Sequence, residues 1–75
     1  VRKGYQAEAA AVYLALTEDG VRHDDAVSAV ANAYSLSESS IKGYVTQARN
    51  GEFGLHFRML RKLVTPEEAK KITKV

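Results

Sequence analysis

The chain has 75 residues, a formal net charge of +2 and no cysteine. One domain is the sensible count, with a thin core, because chains of this size bury only about 60% of the surface they expose when unfolded. Disulfides and thiolate metal sites are excluded, and the longest apolar run, Ala9 to Leu16, is far shorter than the ~20 residues that span a bilayer.

Charge is unevenly spread. Residues 1–41 carry three bases against six acids, and residues 42–75 carry eight bases against three acids. A basic half beside an acidic half fits a polyanion surface, and equally an ordinary solvated one. No signal peptide is visible, and the chain opens on valine, as an excised domain or trimmed product would. A cytoplasmic location is expected.

The apolar spacing is mostly helical. Tyr5, Ala9, Val12, Tyr13 and Leu16 recur at steps of three and four, which places them on one helix face. Alanine is abundant there and is the best helix former. Asp19-Gly20 stops this helix, glycine suiting the left-handed residue after a C-cap. A second helix is expected over about 24–34, with Asp24 and Asp25 at its positive end and Ala26, Val27, Val30, Ala31 and Tyr34 as its inner stripe. After the short link Ser35-Leu36-Ser37, Ser37 caps a third helix over about 38–49. Its inner residues are Ile41, Tyr44, Val45 and Ala48, and Asn50-Gly51 ends it.

The stretch after Gly51 fits two periods. Phe53, Leu55, Phe57 and Met59 alternate as in a strand, whereas Phe57, Leu60 and Val64, and also Met59 and Leu63, fit a helix. A strand needs a partner and none is evident, so a helix over about 55–64 is favoured, with a β-wing or a strand paired in a dimer as the alternative. Thr65-Pro66-Glu67-Glu68 is a capping box with proline at the first helical position, and Ala69, Ile72 and Val75 supply the last helix's apolar side. The expectation is an all-α bundle of about five short helices, a single domain over residues 1–75, with a short β-wing after the third helix as the variant.

The middle of the chain meets the steric demands of two helices crossing through a tight turn. Ala31 is small where the second of the pair crosses closely. Leu36 plugs the turn, Ile41 lies five residues beyond it and Tyr44 three later, while Val30 and Tyr34 complete the inward set. No proline interrupts Val27 to Gln47. This segment resembles the helix-turn-helix unit of bacterial and phage regulators, and Ser35-Leu-Ser-Glu-Ser-Ser-Ile-Lys42 is similar to the LuxR-type and Cro/repressor-type second helices. Ser35 departs from the pattern, since many members have glycine there. A serine must then tolerate a left-handed or strained backbone.

The resemblance implies that the third helix enters the major groove of double-stranded DNA. The base-contacting candidates are then its outward residues Glu38, Ser39, Lys42, Gly43, Thr46, Gln47 and Asn50. Lys42 can reach guanine acceptors, Gln47 or Asn50 can pair with adenine, and Glu38 can accept from cytosine or simply favour the helix dipole. Gly43 costs about 1 kcal/mol against alanine in mid-helix. Close approach of DNA explains it, and so does close helix packing. Phosphate candidates are Ser37, Arg49, Arg58, Arg61 and Lys62. Phosphate contacts position a protein without reading sequence. Asp24 and Asp25 count against a wholly basic footprint.

Neither a catalytic nor a metal site is expected. His23 and His56 are far apart and lack a convergent set of ligands, and Gly51-Glu-Phe-Gly54 signals a loop, not a nucleotide motif. The expected function is sequence-specific duplex binding by a repressor-like transcriptional regulator of phage, plasmid or bacterial origin. It would act without a cofactor and as a homodimer on a palindrome. The alternatives are an accessory protein in recombination, packaging or partition, and a helical protein–protein module using Tyr5, Tyr13, Phe53 and Phe57. Salt separates the classes, because phosphate binding weakens steeply as salt rises.

Overall fold

Five helices make up the computed structural model, which describes residues 4–74. They are α1 (Gly4–Glu18), α2 (His23–Tyr34), α3 (Glu38–Arg49), α4 (Gly54–Leu63) and α5 (Pro66–Thr73). There is no strand among the described residues, and no helix is long and apolar enough to cross a membrane.

Alanine explains the arrangement. The spacing in α1 predicts a single inward face, yet Ala7, Ala9, Ala10, Ala11, Val12, Tyr13, Ala15 and Leu16 are all buried. A helix that is apolar nearly all round belongs in the middle of a bundle. Here α1 packs against each of the other four helices, and its methyl side chains let their backbones come close. Around it, Val27, Val30, Ile41, Val64 and Ala69 close the core. Short side chains give this bundle a small apolar payload per residue, so every larger group, such as Leu16 and Ile41, matters to its stability.

Three helix ends use one device. A residue in the left-handed region follows each of α1, α2 and α3: Gly20 (φ 90°), Ser35 (φ 55°) and Gly51 (φ 80°). The next amide then reaches back five residues: Val21 N–H donates to Leu16 O (3.0 Å), Leu36 N–H to Ala31 O (2.9 Å) and Glu52 N–H to Gln47 O (3.0 Å). These are the 6→1 bonds of a Schellman motif, which satisfy carbonyls that the helix leaves open. At the other ends, Ser37 Oγ accepts from Ser40 N–H (3.2 Å) and Thr65 Oγ1 accepts from Glu68 N–H (3.2 Å).

The β-wing alternative over 53–59 does not form. Gly51 and Gly54 both have positive φ and turn the chain into a helix that begins at Gly54. Phe53 and Phe57 lie against each other, 6.3 Å between centroids, and with Leu60 they pack on the core. No strand exists among the described residues for this stretch to pair with, so its backbone bonds are met within the helix. Val64 is a buried, extended C-cap and not the last helical residue. Val75, expected to add to the apolar side of α5, lies outside the described residues.

Candidate nucleic-acid interface

The short link Ser35-Leu36-Ser37 joins α2 to α3. Ala26, Val27, Val30 and Ala31 of α2 and Ile41, Val45 and Ala48 of α3 share one core with α1. Ser35 holds φ 55°, ψ 45°, a conformation that costs an L-residue roughly 1–2 kcal/mol. Leu36, half-buried, packs from the turn onto the core. Tyr34 and Tyr44, expected inside, are half-buried, and each ends in a polar contact. Tyr34 hydroxyl donates to the Glu8 carboxylate, and the Tyr44 hydroxyl lies 3.4 Å from that of Tyr5. Both contacts tie the pair to α1.

Because Ile41, Val45 and Ala48 point inward, the opposite face of α3 is left to solvent. Glu38, Ser39, Lys42, Gly43, Thr46 and Asn50 are exposed, and Gln47 is half-buried at the edge of that face. With 12 residues, α3 is about 18 Å long, and a major groove about 12 Å wide admits such a helix. Thr46 Oγ1 donates to Lys42 O (3.0 Å), which leaves its lone pairs outward. No ion pair engages Glu38 or Lys42 among the described residues. Gly43 is the informative position. A Cβ built there meets no atom within 4 Å, so close packing inside the chain does not account for this glycine.

The basic residues divide. Arg49, Arg58 and Lys62 are exposed. Arg49 and Arg58 line one shallow hollow between the end of α3 and the start of α4. Arg61 is different, since its guanidinium pairs with Glu18 at the end of α1, and reaching a phosphate would mean giving up that pair. Lys70 likewise pairs with Asp19. Ser37 is exposed at the head of α3, with its hydroxyl engaged as the cap.

On the flank where α2 begins, Tyr13 hydroxyl and His23 Nδ1 are hydrogen-bonded, with the rings edge to face at 5.5 Å. Lys42, Thr46 and Arg49 line the same small hollow, about 130 Å³. Asp24 and Asp25 are exposed in the first turn of α2 beside it. His23 therefore belongs to the edge of the α3 face, a placement that its sequence context did not signal. His56 is exposed on α4. The described residues contain no group of three or more His, Cys, Asp or Glu able to hold a metal ion.

Sequence reasoning also missed which apolar line of α4 stays outside. Phe57 and Leu60 pack inward, while Leu55, Met59 and Leu63 are exposed. Comparison with family models, curated proteins and solved structures gives no match for this chain.

Proposed function

We propose that this chain is a sequence-specific double-stranded DNA-binding module, a repressor-like transcriptional regulator working in the cytoplasm of a bacterium or of a phage or plasmid host. In this reading α3 lies in the major groove, and Lys42, Thr46, Asn50 and Gln47 read base edges, with Glu38, Ser39 and Gly43 lining the same contact. Arg49, Arg58 and Lys62 hold phosphates, with Ser37 at the head of the helix. The protein acts as a homodimer and needs no cofactor or metal.

The observation that carries this reading is Gly43. Glycine in an exposed mid-helix position weakens the fold by about 1 kcal/mol relative to alanine, and empty space surrounds it within the chain. A surface that must come close to the α3 backbone gives that cost a reason. The exposed polar residues around Gly43 have the donors and acceptors that base edges require.

The test is selection of bound duplexes from a random pool, with the purified chain immobilised. Enrichment of one motif is expected. A pool that stays unenriched over successive rounds contradicts sequence-specific binding. Retention that is indifferent to salt moves the chain toward the protein–protein alternative.

A further inference from the structure

Three helices meet beside the outer face of α3, around the hollow of about 130 Å³. Residues far apart in the chain line it. Lys42, Thr46 and Arg49, at steps of four and three, fall on one line of α3. His23 opens α2, and Tyr13 comes from the central helix α1. No carboxylate lines the hollow, and neither Lys42 nor Arg49 has an ion-pair partner among the described residues. An ammonium, a guanidinium and an imidazole thus share one small space without a counter-charge.

The imidazole is held in place. Tyr13 is only 4% exposed, and its hydroxyl is hydrogen-bonded to His23 Nδ1. That bond occupies one ring nitrogen and leaves Nε2 for a ligand. With the ring neutral, Tyr13 O–H donates to Nδ1 and the ring proton sits on Nε2. With the ring protonated, Nδ1–H donates to the Tyr13 oxygen and Nε2 keeps its proton. Nε2–H is a donor in both states, and only the charge behind it changes.

We propose that this hollow is a proton-linked phosphate site. The Arg49 guanidinium holds the phosphate oxygens with its planar fork, His23 Nε2–H donates to the same group, and Lys42 adds positive charge. The space, about four water volumes of ~30 Å³ each, suits one phosphate group and not a whole nucleotide. A charge-assisted hydrogen bond is about twice as strong as a neutral one, so the imidazolium holds the anion more tightly than the neutral ring. An imidazole ordinarily gains its charge as pH falls through about 6.5. Binding therefore tightens on the acid side of neutrality. Asp24 and Asp25, exposed in the first turn of α2, weaken the field but do not line the hollow. Aspartates ordinarily titrate near pH 4, and phenols and lysines near pH 10, outside a window of about pH 5.5 to 8. Identifying the phosphate with a duplex backbone rests on the DNA-binding reading, whereas the site itself does not.

Inorganic sulfate is the probe, because it is tetrahedral and keeps its charge across this window. At constant ionic strength, sulfate should shift the amide resonances of His23, Thr46 and Arg49 along one saturating curve. Binding should be at least about threefold tighter near pH 5.5 than near pH 8. Arg49→Ala should abolish saturation. His23→Gln, which keeps an N–H donor, should lose the pH ratio, and His56→Gln on α4 should retain it. All three residues are exposed, so the variants keep the fold. A pH ratio that survives His23→Gln, or shifts that never saturate and spread over the bases of α4, overturns the proposal. A second arm distinguishes the sources of phosphate. A random duplex whose affinity shows the same His23-dependent pH ratio identifies a backbone phosphate. A duplex without that ratio, beside sulfate that has it, identifies a free phosphate. Sulfate binding with no duplex binding at either pH refutes only the DNA-binding reading.

Discussion

The Tyr34 hydroxyl at the end of α2 donates to the Glu8 carboxylate in the first half of α1. The bond fixes one member of the bihelical unit to the central helix. Burial, and then the Glu8 carboxylate, pushes the Tyr34 phenol above its ordinary range. The neutral phenol is thus favoured in the fold. Its contribution is fully present below about pH 10, the ordinary phenol value, and is lost as pH rises above it. Tyr34→Phe should cost about 1 kcal/mol at neutral pH. The gap between parent and variant should shrink above pH 10. Urea unfolding at pH 7 to 11 measures this, and parallel curves would remove Tyr34 from the account.

Ser35 occupies the left-handed position that Gly20 and Gly51 fill at the ends of α1 and α3. Relief of roughly 1–2 kcal/mol of backbone strain exceeds the extra unfolded-state freedom of glycine, about 0.5–1 kcal/mol. Ser35→Gly should therefore stabilise by about 0.5–1 kcal/mol. Chemical denaturation checks it. A loss of stability would mean that the serine hydroxyl makes a contact worth more than the strain.

Legibility in the sequence varied with how local the cause was. Ser35, Ser37 and Thr65 were readable because caps and turns depend on a few adjacent residues, and each behaves as its chemistry predicts. The outward face of α3 followed from Ile41, Val45 and Ala48 once helical periodicity was granted. The ambiguity at 53–59 had a physical source. Residues in α4 are apolar on both sides, so the pattern satisfies periods of two and of three to four at once, and periodicity does not say which line is inside. The burial of Ala7, Ala10, Ala11 and Ala15 beside the expected face of α1 depends on four neighbours that no single window contains. The Arg61–Glu18 pair spans 43 positions and had no local signal, which is why Arg61 looked equivalent to Arg58 and Lys62.

That difference among the bases of α4 leads to a contrast. Arg58→Ala and Lys62→Ala should each lower the magnitude of the slope of log affinity against log salt by nearly one unit per copy bound, and so by nearly two for a homodimer, on specific and random duplexes alike. Arg61→Ala should leave the slope unchanged and alter stability by less than about 1 kcal/mol, as expected for an ion pair open to solvent. Equal effects from all three would mean that Arg61 leaves Glu18 on binding.

Gly43→Ala separates stability from binding. The substitution adds a methyl group to open space and removes a helix-weakening residue, so it should stabilise the free protein by about 1 kcal/mol. Against DNA the same methyl group meets a surface meant for bare backbone, and affinity should fall by about 1–3 kcal/mol, as for other overpacked contacts. Thermal unfolding and duplex titration of one preparation give both numbers. Unchanged binding would return Gly43 to an unexplained surface position.

The most direct measurement is the preference of the chain for its selected duplex over a scrambled one, before and after Lys42→Ala. Lys42 is exposed on the outer face of α3, free of ion pairs among the described residues. The account predicts a steep loss of affinity with salt for both duplexes and a clear preference for the selected one. Lys42→Ala should reduce that preference by about 1–3 kcal/mol per copy bound while removing little of the random-duplex affinity beyond one charge per copy. A preference that survives Lys42→Ala intact, or an unmodified chain whose affinities for the two duplexes are equal, would contradict recognition by the outer face of α3.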